Sequence, residues 1–490
     1  MSKKTELILL ALILILAAFL RLYRIADYMT FLGDEGRDVL VVKRIVVDHK
    51  LTLLGPTASV GGFFLGPLYY YLMIPFLWAW GLNPVGPAVM VALFGIATVF
   101  LVYQVGKEFF NYKVGLIAAS LYAISPLTIA YSRSSWNPNL MPFFCLLIIW
   151  LTWKIVSDDK QHWLFWLGIL FGLAIQLHYL TTFLMIVVAV YLLCFYRRLK
   201  SYLYALFGFL IGWSPFIFFE LRHQFPNLRT LSRFILQGEE TGFVVGRFFP
   251  IISDIALRLF SRLVTNNQQW LAWVLLLGSL LTFIYLWRKS KPNIKLHQKF
   301  SLLGLWWFLG IFLFGFYQKG IYDYYFGFMF ALPFLLTGFL LTQLAKVKKI
   351  GQLLSLFLGG YLFWVNLQGV PFRFTPNRQL AQTQSVARFI FEKTNGQPFN
   401  FALITGNNSD HAYRYFFDVW GNPPLVIENP QIDPERKTVT DQLFVVCEIS
   451  PCAPLGHPLW EIAGFGRAEI VNRWPVSVLE VYQLKHWQED

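Results

Sequence analysis

Eleven mostly apolar segments, each close to the length a membrane crossing demands, constrain this chain more than any single motif. They run over roughly 7–23, 85–105, 114–131, 140–156, 163–180, 181–196, 201–219, 270–287, 300–317, 325–343 and 350–366. A helical span needs about 20 predominantly apolar residues. Composition agrees: of 490 residues, 56% are apolar, 18% aromatic and only 14% charged, where a soluble domain carries about 25% charged residues. A soluble enzyme of this length, a disordered chain and a disulfide scaffold are excluded. The first segment follows Ser2-Lys3-Lys4 and runs into Phe19-Leu20-Arg21-Leu22-Tyr23-Arg24, without the small residues of a cleavage site. It therefore reads as an uncleaved first span.

The connections between these segments carry an orientation signal. With the N-terminus inside, alternation gathers 17 Lys and Arg in the inner connections, against the acids Glu6, Glu108, Asp158 and Asp159. The short outer connections hold only Arg133 and Lys319. Basic residues favour the cytoplasmic side, so the N-terminus is expected in the cytoplasm of a cell-membrane protein and the tail outside. The formal net charge of +14 then divides into +13 inside, +4 in the outer loops and −3 in the tail. The basic excess is a topology signal, and no nucleic-acid partner is implied.

Three outer segments are longer than connectors. Residues 24–84 end in Gly66-Pro67-Leu68-Tyr69-Tyr70-Tyr71 and a short, Tyr- and Trp-rich apolar run to Trp80, expected as a helix along the outer interface. Residues 220–269 mix Arg, Glu and Phe. From residue 371 to 490 the composition turns soluble, with helices expected at 385–393 and 409–420 and strands at 399–405, 425–428, 443–448 and 476–484. Such alternation suggests a small α/β domain. The expected fold is an α-helical polytopic membrane protein with about eleven transmembrane helices over 1–366 and a C-terminal extracytoplasmic α/β domain over 371–490. Cys447 and Cys452 are placed to pair in an oxidising compartment, while Cys145 and Cys194 fall in apolar runs.

The outer connections also carry the polar side chains that chemistry would need. Gly33-Asp34-Glu35-Gly36-Arg37-Asp38 sets adjacent carboxylates beside an Arg, as a general base towards a hydroxyl or a divalent-metal site requires. Ser132-Arg133-Ser134-Ser135-Trp136-Asn137-Pro138-Asn139 offers a forked cation, hydroxyls and amides suited to a phosphate or a sugar. Glu220-Leu221-Arg222-His223, the pair His178-Tyr179, and Lys319 with Tyr322-Asp323-Tyr324-Tyr325 complete the set. Each has a plain structural alternative: a helix cap at Asp34, a snorkelling Arg133, an ion pair at Glu220, a hydrogen-bonded His178. The spans themselves are nearly free of charge, whereas a transporter places polar groups near mid-membrane. An interfacial enzyme fits better than a transporter or flippase for lipid-linked glycans. A non-catalytic envelope scaffold would leave the Asp34-Glu35 cluster without a role.

These residues resemble the GT-C class of integral-membrane glycosyltransferases, in its bacterial dolichyl-phosphate-mannose–protein mannosyltransferase-like and aminoarabinose-transferase-like branch. The features that carry the resemblance are Arg21-Leu22-Tyr23-Arg24, the acidic Gly33-Asp34-Glu35, the Gly66-Pro67-Leu68-Tyr69-Tyr70-Tyr71 segment, and Ile124-Ser125-Pro126 through Tyr131-Ser132-Arg133. The resemblance implies a sugar donor carried on a polyprenyl phosphate and an acceptor that is a glycan, a lipid or a protein. It implies that Asp34 is the general base and that Glu35 orients the acceptor or tunes Asp34. Arg133, Arg222 and Lys319, with Arg37 and His223 behind them, would stabilise the departing phosphate. Asn137, Asn139, His178, Tyr322 and Tyr325 complete the expected substrate-binding set, and a single displacement implies inversion. Two departures stand out. Asn137 and Asn139 lie where many relatives carry an acid, which weakens the case for a bound divalent metal, and the doubled proline of the family is reduced to Gly66-Pro67.

Overall fold

The computed structural model describes residues 2–58, 61–237 and 242–488. Residues 59–60 and 238–241, within the first and second long outer segments, lie outside the described residues. The chain forms two compact units. One comprises Met1–Tyr23, Leu51–Met73 and Ala88–Thr375; the other comprises Arg24–Lys50, Ile74–Pro87 and Pro376–Asp490. Packing thus groups the acidic stretch after the first span with the tail, although composition alone sets the tail apart.

The first unit is helical. Among the described residues, six helices are long and apolar enough to cross a membrane: Lys3–Leu22, Val85–Phe109, Asn137–Asp158, Gln269–Ser290, Ile294–Phe314 and Lys348–Gln368. Two further expected spans are helix pairs, Leu199–Gly212 with Ser214–Arg222 bent by 71°, and Asp323–Met329 with Ala331–Leu344 bent by 62°. The first bend falls where Pro215 opens the second helix, since proline has no N–H to continue a helical ladder. The remaining three expected spans are the shorter apolar helices Tyr112–Ile124, Trp163–Ala174 and Thr181–Phe195. The stretch expected along the interface is the 12-residue helix Leu68–Ala79.

Small residues draw two of these helices into backbone contact. A Cβ on Gly168 would lie 2.0 Å from the Ala205 carbonyl oxygen, and one on Gly208 would lie 2.0 Å from that of Phe165. Gly172 and Gly212 repeat the contact one turn on, the spacing by which small residues let membrane helices approach. Gln176 is buried at the end of this pair. Its Nε2 donates to the carbonyls of Gly212 (2.7 Å) and Gly172 (3.0 Å), and its Oε1 accepts from the Leu68 N–H at 3.2 Å. A side chain at Gly66 would collide with Gln176. The Gly66-Pro67-Leu68 turn is therefore anchored by a buried amide.

In the second unit the tail forms a four-stranded sheet: β1 (Asn400–Ile404), β2 (Gln442–Cys447), β3 (Ala468–Val476) and β4 (Leu479–His486), in the order β1-β2-β4-β3. β1 and β2 are parallel; the other pairings are antiparallel. Helices Gln379–Lys393 and His411–Val419 accompany it, giving the expected α/β organisation. Ala402, Ile404, Leu443, Val445, Ile462, Phe465 and Leu484 form its core. The strand expected at 425–428 is reduced to a single bridge between Leu425 and Asn400, next to Pro423-Pro424, which cannot donate to a ladder. The strand Ala468–Val476 was not expected. Its turn to β4 passes through Ser477 at φ 59° without a glycine to mark it, and its Pro475 sits on an edge strand, where proline is tolerated. Cys447 and Cys452 form a disulfide.

Candidate active site

The acidic cluster opens the helix Gly33–Asp48 in the second unit. Its two adjacent carboxylates meet opposite environments. Asp34 is half exposed and accepts from Arg37 Nη1 at 2.8 Å. Glu35 is buried, and its Oε2 accepts from the Leu32 N–H at 3.0 Å, the returning half of a capping box. Burial pushes the Glu35 carboxyl up to about 7, because desolvation penalises the charged form. Asp38, one turn on, is fully buried, and its Oδ1 accepts from Arg37 Nε (2.9 Å) and Nη2 (2.8 Å). Arg37 pairs with both Asp34 and Asp38. Asp34 is the accessible base candidate.

The tail adds residues that the sequence did not single out. Asn408 Oδ1 accepts from the Gly33 N–H at 2.8 Å. His411 hydrogen-bonds Ser409 through Nδ1 at 2.7 Å. Burial holds its imidazole below the ordinary range, against the opposing pull of Asp410, and Arg37 and Asp34 are near enough to act on it. The Asn408 amide thus reaches a helix start 375 residues away in sequence.

In the first unit, Arg133 is held by backbone carbonyls. It is 1% exposed, its Nη1 and Nη2 donate to the carbonyls of Leu20 and Tyr23 at 2.9 Å each, and it lies over the Phe372 ring. It closes the end of the first span. Arg21, also buried, donates to the Ala123 carbonyl at 3.0 Å and the Tyr122 carbonyl at 3.4 Å. Pro126 has no N–H to offer Tyr122, so Arg21 and the Thr128 hydroxyl (2.7 Å to the same oxygen) replace it. The two motif arginines are staples at a helix break.

The other expected residues divide in the same way. Asn137 Nδ2 donates to the Leu177 carbonyl at 2.6 Å, and Asn139 Nδ2 to that of Ser134 at 2.9 Å. His178 is buried, accepts from the Leu180 N–H at 3.2 Å, and stacks on Tyr179 with Tyr324 and Tyr325 nearby. These amides and the imidazole organise loops. Glu220 is buried and accepts from Asn227 Nδ2 (2.8 Å) and the Leu228 N–H (2.9 Å), capping the helix Pro226–Gln237 rather than pairing with Arg222. Arg222, His223, Lys319 and Tyr322 are exposed. Tyr325 is buried, 3.5 Å from the Tyr317 hydroxyl.

An arginine–aspartate cluster of this unit was missed. Arg258 and Arg262 lie one turn apart on the amphipathic helix Val245–Leu263. Both grip Asp323: Arg258 Nη2 to Oδ1 and Arg262 Nε to Oδ2, each at 2.6 Å. Arg258 Nη1 also lies 3.3 Å from Asp254 Oδ2, so two guanidiniums meet two carboxylates in a partly buried site. The i, i+4 arginine spacing was visible in the sequence, but its partner lies 65 residues away. The connection that carries Asp323 also lines, through Phe316 and Tyr317, an apolar cavity of about 390 Å³ shared with Phe63, Phe183, Trp213 and Phe216.

Asp34 and Asp38 are held by Arg37, and Glu35 by a backbone amide. This donor set does not fit a divalent ion. Among the described residues, no group of three or more His, Cys, Asp or Glu converges as metal ligands would.

Comparison with known proteins agrees with this architecture. Residues 66–219 match the family model of dolichyl-phosphate-mannose-protein mannosyltransferase. A Bacillus subtilis (strain 168) protein named "Putative mannosyltransferase YkcB" is 29% identical over 167 residues, covering 33% of this chain and 23% of that protein. The matches to curated relatives span about a quarter or less of the length of those proteins. Among solved structures, ArnT from Cupriavidus metallidurans bound to undecaprenyl phosphate superposes with a TM-score of 0.65 at 13% identity, covering 98% of each chain. The oligosaccharyltransferase AglB from Archaeoglobus fulgidus, in complex with an inhibitory peptide and a dolichol-phosphate, gives 0.50 at 13% identity over 90% of this chain and 69% of that one. The chain is a polytopic membrane protein with the fold of ArnT, and its residues 66–219 match the family model of dolichyl-phosphate-mannose-protein mannosyltransferase.

Proposed function

We propose that this protein is a glycosyltransferase that moves a sugar from a polyprenyl-phosphate donor to an acceptor hydroxyl at the outer face of the cell membrane, with inversion. The observation that carries this reading is the half-exposed Asp34 carboxylate, oriented by Arg37, on a chain whose whole length follows the fold of a protein with a lipid phosphate bound. The acceptor oxygen attacks the anomeric carbon while Asp34 takes its proton. The bond from that carbon to the phosphate oxygen breaks, and its electron pair leaves with the polyprenyl phosphate. A general base of this kind contributes about 10²–10⁴-fold.

The negative charge that grows on the leaving phosphate calls for preorganised cations. Arg258 and Arg262 are the candidates of the first unit, because Asp323 fixes both guanidiniums. The apolar cavity between Phe63, Phe183, Trp213 and Phe316 suits an isoprenoid chain. Charge on the inner connections supports the cytoplasmic N-terminus, and the disulfide of the tail supports its exposure to an oxidising compartment. The test is to supply membranes containing the protein with a panel of radiolabelled polyprenyl-phosphate sugars. Transfer with release of polyprenyl phosphate, giving a product of opposite anomeric configuration by NMR, is expected. Retention of configuration, or no turnover of any donor, would overturn the reading.

A further inference from the structure

The acidic helix begins without a capping side chain at its N-cap position; Glu35 serves the Leu32 N–H. Leu32 occupies the N-cap position and has no side-chain acceptor, although the first N–H groups of a helix need partners. The partner comes from the tail, in the same compact unit. A Cβ on Gly33 would stand 2.0 Å from Ser409 Oγ, and one on Gly36 would stand 2.3 Å from the Ala412 nitrogen. Glycine at these two positions lets the start of the tail helix meet the acidic helix at its backbone. There Asn408 Oδ1 accepts from the Gly33 N–H and from the Ser409 N–H, both at 2.8 Å.

The orientation of that amide is itself determined. Asn408 Nδ2 lies 3.1 Å from each oxygen of Glu448, and a carboxylate accepts only from the donor end of an amide. Glu448 is held in turn by the Thr405 hydroxyl at 2.8 Å and the Tyr413 hydroxyl at 3.0 Å. Hydroxyls fix the carboxylate, the carboxylate fixes the amide, and the amide caps the helix one residue before Asp34. Further along the helix the contact is of another kind, an ion pair of Lys43 with Asp418 at 3.1 Å.

We infer that Asn408 and Glu448 are positioning residues for the Asp34-Glu35 turn, so that the tail domain sets the geometry of the proposed base. This inference rests on the transferase reading for its consequence, but not for its structural part.

The test uses the full-length protein in nanodiscs. Hydrogen–deuterium exchange is followed over residues 31–38, with strands 400–404 and 442–447 as internal controls, in parallel with kcat and KM for a polyprenyl-phosphate sugar. Asn408→Asp sets two carboxylates face to face; exchange at residues 33–36 is expected to quicken about tenfold, the scale of a lost helix cap. Its kcat is expected to fall while donor KM stays unchanged. Adding Glu448→Gln restores a donor–acceptor pair and is expected to recover both. Lys43→Ala is expected to behave as wild type at residues 33–36. Unchanged exchange in Asn408→Asp, or a double variant no better than the single one, overturns the inference. If the single variant also loosens the control strands, the double variant decides. The exchange result needs no turnover, so a loosened turn in a protein that transfers no sugar would refute the transferase reading and leave the capping intact.

Discussion

Asp34 and Glu35 differ by one position in sequence and by burial in the fold, and that difference assigns their tasks. Asp34 faces outward, while Glu35 turns back to cap its own helix. A carboxyl raised from 4.5 to about 7 binds a proton in the folded state over a pH range where the unfolded chain has lost it. Stability therefore falls as pH rises from about 4.5 to about 7 and levels off above. Thermal midpoints of the purified protein across this range should decline in wild type and stay flat in Glu35→Gln. Parallel curves would show that Glu35 is ionised when folded. The acidic pair was legible in the sequence because its residue types announce chemistry. The carbonyl contacts of Arg21 and Arg133 were not, because the partners lie far away in sequence or across a helix break.

Helices were legible in the sequence, and their breaks less so. Each expected span carries a helix, since apolar segments in a bilayer must satisfy their backbone polar groups internally, although three of these helices, Tyr112–Ile124, Trp163–Ala174 and Thr181–Phe195, are shorter than a full crossing. The bends at 71° and 62° were not foreseen, nor was the hairpin of β3 and β4, whose turn lacks the usual glycine. The contact of Gly168 and Gly172 with Gly208 and Gly212 admits no side chain. Gly208→Val should force these helices apart and disturb Gln176, which leans on the Gly212 carbonyl. The loss of folded protein should show in detergent size-exclusion yield; a wild-type yield would mean that the pair tolerates separation. On the amphipathic helix, Arg258→Gln should raise the donor KM about tenfold or more, the scale of one lost charge-assisted hydrogen bond. An unchanged KM would remove the arginine pair from the donor site.

At the scale of the whole molecule, the proposed arrangement, with polar equipment and tail on the outer side, can be tested by labelling. Single cysteines placed at Lys295 and at Lys437, in a variant lacking Cys145 and Cys194, should be labelled by an impermeant maleimide in intact cells only at residue 437. Labelling at 295 instead would invert the topology. The most direct measurement compares wild type with Asp34→Asn in one membrane preparation supplied with a labelled polyprenyl-phosphate sugar that the wild type turns over. Release of polyprenyl phosphate should drop by about 10²–10⁴-fold in the variant, the range of a lost general base, with the protein present at wild-type level. Transfer by Asp34→Asn at the wild-type rate would contradict the assignment of Asp34 as the base.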